Sequence, residues 1–352
     1  METIKVGLVG YGLSGATFHA PLMGVLEEFE IAKVVSSNTD KVQQDLKNAE
    51  VVSSLEQVLA DPAIDLVVIT TPTHLHFEMA KQSLMAGKHV ILEKPMVVEA
   101  REATELIRIA EEQGLLLSVY HNRRWDNDFL TVKKLVNEGA LGEINTYQVH
   151  FDRFRPHVRD RWREQPFPGS GTLYDLGSHL IDQALNLFGW PESISADVFG
   201  QRENAQTDDY FHLVLGYSKL RVILHAGSIV AGNGPRFQVH GSKGSFIKYG
   251  IDGQENLLKE GHKPADSSFG ADQPEFYGKL ITVDGETEKQ DTIETLPGSY
   301  LTYYKQIAAS LLQGAKPPVT AQEGLAVIAI IEAALASSKE KKTIVLDRYK
   351  EF

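Results

Sequence analysis

The sequence predicts an α/β protein: a doubly wound parallel sheet, then a second α/β domain built on an open, largely antiparallel sheet. Three observations predict it. Short apolar runs recur through the first third, separated by helical patterns. A glycine-rich turn follows the first of these runs. Past residue 122 apolar and polar residues alternate with a period of two. A chain of 352 residues exceeds one ordinary core. It divides here into a dinucleotide-binding domain over 1–121 and a substrate-binding domain over 122–352.

The first runs are Val6 to Val9, Ile31 to Val35, Leu66 to Ile69, His89 to Leu92 and Leu115 to Val119. They are unbroken by polar residues because a parallel sheet is covered on both faces. Phe77 to Ala86 and Ala103 to Ala110 have helical spacing, stopped by Gly87 and Gly114. In the second domain Tyr147, Val149 and Phe151 alternate with polar residues, as do Phe211, Leu213 and Leu215, then Val222, Leu224 and Ala226. Such patterning gives a sheet with one wet face. Further strands are expected at 237–239 and 245–248, and helices at 301–312 and 323–338. Residues 250–298, rich in Gly, Asp, Glu and Lys, are expected to form long surface loops.

Charge and composition exclude several function classes. Lys and Arg number 35 against 47 Asp and Glu, a net charge of −12. An acidic surface repels phosphate backbones, which argues against a nucleic-acid partner. Cysteine is absent, which removes disulfides, thiolate catalysis and cysteine-bound zinc. No apolar run approaches the roughly 20 residues that span a bilayer, and no signal peptide is read ahead of the first strand. A cytoplasmic location is expected.

Gly10-Tyr11-Gly12-Leu13-Ser14-Gly15 follows the first strand and opens a helix. Gly10 permits the turn, Gly12 lets backbone N–H groups reach a pyrophosphate, and Gly15 lets helix and strand pack closely. The helix N-terminus adds partial positive charge. Pro21 is expected to end this helix early. At the end of the second strand an NAD enzyme usually carries Asp or Glu for the ribose 2′-OH. Ser36-Ser37-Asn38 stands there instead, which favours NADP while leaving NAD possible; Lys41 either supplies charge or faces solvent. Thr71, Pro72 and His76 follow the next strand, on the rim where the cofactor lies. His74 and His76 would diverge on a helix, so no metal site is expected.

Glu93-Lys94-Pro95 lies on the same rim. Pro95 forces an extended backbone at Lys94. Its ammonium can then steady an emerging alkoxide, with Glu93 as its partner or as a cofactor contact. Asp175 and His179 stand at i and i+4 on an expected helix, with Asp182 three further on. A carboxylate beside an imidazole sets its tautomer and raises its basicity, as a general acid–base requires. Asn122, Arg123, Trp162 and Arg163 are pocket candidates, with Asp152, Arg153, Arg155 and His157 beyond them. The same residues would equally serve in structural ion pairs.

Together these motifs resemble the Gfo/Idh/MocA family of NAD(P)-dependent oxidoreductases. The resemblance rests on Gly10 to Gly15, Thr71-Pro72, Ala86 to Val90, Glu93-Lys94-Pro95, and Asp175 with His179, and it spans the chain. It implies a Rossmann domain, a second domain on an open sheet whose exposed face forms a homodimer or homotetramer, and a Lys94–Asp175–His179 catalytic set. The Lys-Pro bond is often cis in such proteins. The segments 119–130, 161–164 and 298–304 are similar to the NADP-dependent scyllo-inositol dehydrogenase branch. That branch commonly carries Arg at the second-strand turn, where this chain has Asn38. The implied mechanism has His179 take a hydroxyl proton while Lys94 steadies the oxyanion and Asp175 orients the site. Rival readings are another sugar or aldose dehydrogenase, a non-catalytic NADP-binding regulator, and a glycosidase using bound NAD.

Overall fold

A computed structural model describes residues 3–232, 234–266 and 268–347. The chain forms two compact units. The first holds residues up to Asn122 together with Gln254–Phe269 and Ser299–Ala326; the second holds the remainder. The sequence reading divides the chain once, at 121/122. The contacts divide it several times, because two later segments return to the first unit.

The first unit is built on six strands: β1 (Ile4–Val9), β2 (Phe29–Val35), β3 (Glu50–Val52), β4 (Leu66–Ile69), β5 (His89–Leu92) and β6 (Leu117–Val119). Their order is β3-β2-β1-β4-β5-β6, and every pairing is parallel. The expected runs form five of these strands. Their cause is burial: Val6, Leu8 and all of Leu66–Ile69 are fully enclosed. Strand order reverses between β1 and β4, the switch point where such sheets bind ligands. Helix Ala100–Gln113 begins in a capping box of Glu99 and Glu102. The returning helix Leu301–Gln313 completes this core. Tyr303 and Tyr304 are fully buried, with rings 4.9 and 6.0 Å from Tyr120.

Among the described residues the second unit holds nine strands: β7 (Ile144–His150), β8 (Ser193–Phe199), β9 (Tyr210–Gly216), β10 (Arg221–Gly227), β11 (Phe237–Gly241), β12 (Gly244–Lys248), β13 (Gly278–Asp284), β14 (Thr287–Ile293) and β15 (Ile344–Val345). They run in the order β14-β13-β12-β11-β7-β10-β9-β8-β15. All neighbours are antiparallel except β7 and β10. Tyr147, Val149, Phe211, Leu213, Leu215, Val222 and Leu224 are buried on one face, while Gln148, His150, His212 and His225 lie half-exposed on the other. Residues 250–298 depart from the expected loops. They contain helix Gln254–Lys259 and strands β13 and β14. β14 is a polar edge strand and β13, next to it, is mostly unburied, so burial imposes no apolar alternation on them. The turn residues Asp284-Gly285 were the available signal.

Among the described residues one helix, Ala321–Glu340, is long and apolar enough to cross a membrane, and most of it is buried in the fold.

Candidate active site

The residues singled out by sequence fall in both units. In the first, β1 delivers the glycine loop. Gly10 takes φ +97°, a left-handed conformation that disfavours a side chain. Thr70 Oγ1 donates to the carbonyls of Gly10 and Val9, at 2.9 and 3.1 Å, and so clamps the turn to β4. A Cβ at Gly15 would stand 2.3 Å from the Gly10 carbonyl oxygen. A Cβ at Gly12 would meet nothing within 4 Å, so the space beside its backbone is open, as a pyrophosphate requires. The loop therefore fits a dinucleotide. Leu13 is exposed beside it.

The helix after the loop opens with a π-turn, Gly15–His19, whose closing bond runs from the Ala20 N–H to the Gly15 carbonyl. This wider turn gives Pro21, in the following Ala20–Met23 turn, room that an α-helical carbonyl would deny it. The π-turn also brings His19 inward. His19 is fully buried, with Nε2 3.0 Å from Glu93 and Nδ1 against the Tyr304 hydroxyl. Ser14 donates to the same Glu93 oxygen, and the other oxygen accepts the Lys94 N–H at 2.9 Å. Burial raises the Glu93 carboxyl, but His19, Lys94 and Ser14 outweigh it and bring it down to about 2. Glu93 thus joins the glycine helix to the Lys94 turn.

His76 is a second tie. Its Nε2 lies 2.9 Å from the Thr71 carbonyl and its Nδ1 3.0 Å from the Pro95 carbonyl. Burial lowers its pKa, and the facing carbonyls pull against that shift. Thr71, Pro72 and the cis Lys94–Pro95 bond are thereby held together, with Lys94 half-buried. At the end of β2, Ser36 accepts the Asn38 N–H, and Asn38 caps helix Thr39–Asp45 through the Lys41 N–H. Ser37 and Asn38 are exposed, and the Lys41 ammonium lies 5.6 Å from the centre of the Tyr11 ring.

In the second unit Asp175 sits in another π-turn, Leu173–Gly177, and His179 in the α-helix Ser178–Phe188 that continues it. The i, i+4 spacing therefore crosses from a wide turn into an ordinary one. π-turns of this kind are frequent at functional sites. Arg163 Nε lies 3.2 Å from Asp175, and its guanidinium stacks on Trp162 at 4.5 Å. A cleft open to solvent is lined by Arg155, Arg161, Arg163, Asp175 and Asp208 among others. Asp208 accepts the Leu173 N–H at 2.7 Å and so anchors the π-turn; burial pushes its carboxyl up to about 6. Gly171, at φ +95°, makes room for it, because a Cβ there would stand 2.0 Å from Asp208 Oδ1.

Other candidates are placed differently. Asn122 is buried at the end of the first unit's opening segment. Arg123 is buried, bonded to Asp126 at 3.0 Å and lying over the Phe151 ring. Asp182 holds Arg124 through two bonds of 2.9 and 2.6 Å. The His157 side chain is exposed, while its carbonyl accepts from Arg202. Asp152 lies with His150 and His225. Sequence reasoning missed His19 and Asp208. Only Asp208 had a signal, an acidic pair at Asp208-Asp209 ahead of a strand.

Two family models match: "Oxidoreductase family, NAD-binding Rossmann fold" over residues 4–121 and "Oxidoreductase family, C-terminal alpha/beta domain" over residues 133–346. The chain belongs to the Gfo/Idh/MocA oxidoreductases. This oxidoreductase is 59% identical over 347 residues to the scyllo-inositol 2-dehydrogenase (NADP(+)) IolW of Bacillus subtilis, covering 99% of this chain and 97% of that one. It is 46% identical to the uncharacterized oxidoreductase YdgJ of Escherichia coli, covering 98% and 99%. In structure it matches the putative oxidoreductase yvaA of Bacillus subtilis with a TM-score of 0.97 and 60% identity, over 98% of this chain and 99% of that one.

Proposed function

We propose that this oxidoreductase is an NADP-dependent scyllo-inositol 2-dehydrogenase, interconverting one ring hydroxyl and its ketone. The observation that carries the reading is full-length likeness to a protein of that activity, in a chain that also holds the glycine loop, Lys94, Asp175 and His179. Bound NADP would supply the hydride chemistry, in either direction, at the carbinol carbon. Backbone N–H groups at Gly12, Leu13 and Ser14 would hold its pyrophosphate at the helix N-terminus. Lys41, stationed over Tyr11, supplies the positive charge for a 2′-phosphate that Asn38 does not. Trp162 and Arg163 shape the pocket.

His179 receives the hydroxyl proton at an imidazole nitrogen, and Lys94 steadies the oxygen as negative charge grows on it. Asp175, already tied to Arg163, orients the site. Glu93 and His76 act at one remove, by fixing the turn that carries Lys94. We infer further that the enzyme works in the cytoplasm as a homodimer or homotetramer.

The test is turnover of inositol isomers and aldoses with NADP+ and NAD+, followed by the absorbance of the reduced nicotinamide. scyllo-Inositol with NADP+ should give the highest kcat/KM. Turnover confined to aldoses would redirect the substrate, and tight NADPH binding without any turnover would make the protein a regulator. His179→Ala and Lys94→Ala should each lose about 10²–10⁴-fold in kcat while still binding NADPH. Near-normal kcat in both variants would defeat the assignment.

A further inference from the structure

The half-exposed face of the second unit's sheet carries an arrangement the proposed reaction does not use. Strand register sets His225 of β10 directly opposite His150 of β7 on one side and His212 of β9 on the other. Asp152, two residues past His150, returns to the same face because side chains alternate along an extended chain. Its Oδ2 lies 3.0 Å from His150 Nδ1 and its Oδ1 3.4 Å from His225 Nε2. The three ligand atoms all fall within 4.8 Å of one another.

We propose that His150, Asp152 and His225 form a binding site for a zinc-class divalent cation. Imidazole nitrogens and a carboxylate oxygen are donors such ions accept, whereas Mg²⁺ prefers oxygen alone. Tetrahedral bonds of about 2.0–2.1 Å place neighbouring donors about 3.3–3.5 Å apart, a spacing that the three ligand atoms, all within 4.8 Å of one another, reach by small side-chain rotations. The surrounding groups suit ligation. A metal-bound imidazole donates its other N–H to a neighbour, which fixes the ring. His225 has such a neighbour in His212, with Nδ1 3.4 Å from Nδ1; beside His150 Nε2 the Gln148 amide nitrogen stands at 2.6 Å, and turning the amide end for end puts its oxygen there as the acceptor. The Gly227 N–H donates to Asp152 Oδ1 at 2.9 Å and fixes the carboxylate. Three protein donors leave a fourth position for water.

The experiment uses the full chain without an affinity tag, stripped with a chelator and dialysed against ZnCl2 or MgCl2, with bound metal counted by atomic emission. The site should hold one Zn²⁺ per chain and discriminate against Mg²⁺. Co²⁺ in its place should give the strong visible absorption of a tetrahedral complex. His225→Asn and Asp152→Asn should each weaken Zn²⁺ binding at least tenfold, and Gln148→Ala about tenfold through ring orientation. His240→Asn, whose residue stands opposite Thr146, four residues before His150 on β7, should change nothing. Circular dichroism checks the fold of each variant, with His150→Gln as the substitute if His225→Asn does not fold. Wild type retaining no more Zn²⁺ than folded His225→Asn, or binding Mg²⁺ equally well, would overturn the site and leave a plain hydrogen-bonded cluster.

Discussion

Gly12→Ala and Gly15→Ala differ by one methyl group each, three residues apart, yet the structure assigns them opposite outcomes. The methyl at Gly12 enters open space, with no neighbour within 4 Å. The fold should notice only the weaker helix-start preference of alanine, worth about 1 kcal/mol or less. The same methyl occupies the approach of the pyrophosphate to the loop. Losing one or two charge-assisted hydrogen bonds there costs about 1.5–3 kcal/mol each, so the NADPH Kd should rise about tenfold or more. At Gly15 the methyl lands 2.3 Å from the Gly10 carbonyl and 3.2 Å from Thr70 Oγ1. Backbone must shift by about an ångström, and overpacking of this kind costs about 1–3 kcal/mol. Differential scanning fluorimetry and fluorescence titration with NADPH separate the two effects. Gly12→Ala should keep its Tm and lose affinity; Gly15→Ala should lose several degrees of Tm. Wild-type affinity in Gly12→Ala, or a greater loss of Tm there than in Gly15→Ala, would refute the account of the loop.

Three further outcomes follow from buried charge. Asp208 titrates near 6 when folded, above its unfolded value near 3.8, so its ionised form destabilises the fold progressively as pH rises through 6. Asp208→Asn should therefore gain on wild type by about 2–3 kcal/mol between pH 4 and pH 8 in urea melts, and a pH-independent difference would contradict this. Glu93 has the opposite sign: its folded pKa near 2 lies below 4.5, so its stabilisation is complete above pH 4.5 and lost as pH falls toward 2. Glu93→Gln should flatten that acid limb, by about 3 kcal/mol at most; an unchanged acid transition would count against the network. Arg124 and Asp182 form a buried bidentate pair. Arg124→Met strands the carboxylate and should cost about 3–5 kcal/mol in chemical denaturation, and a loss under 1 kcal/mol would show that the charge is relieved elsewhere.

How much could be read from the chain depends on where each residue's constraint comes from. Strands covered on both faces, such as Leu66–Ile69, write their burial directly into composition. The glycine loop is legible for the same local reason: backbone conformation and close approach dictate residue type within six positions. β3, three residues long at a sheet edge, and the polar hairpin of β13 and β14 carry no such imprint. Asp182 shares helical spacing with Asp175 and His179, yet its role is set by Arg124, which lies 58 residues earlier in the chain. The row of His212, His225 and His150 exists only through strand register, which residue spacing does not fix. His19 becomes meaningful only once Tyr304, 285 residues later, is packed against it.

That last pairing bears on how the gene can be cut. A polypeptide ending at residue 122 would contain every glycine of the loop and all six parallel strands, and it would look like a complete nucleotide-binding module. It would lack the two tyrosines that roof His19 and Tyr120, leaving an imidazole and a phenol ring bare where the intact protein has none. Attempts to express that half by itself, or to graft it onto another catalytic partner, should carry residues 299–326 along, as a fused helix or a co-expressed peptide.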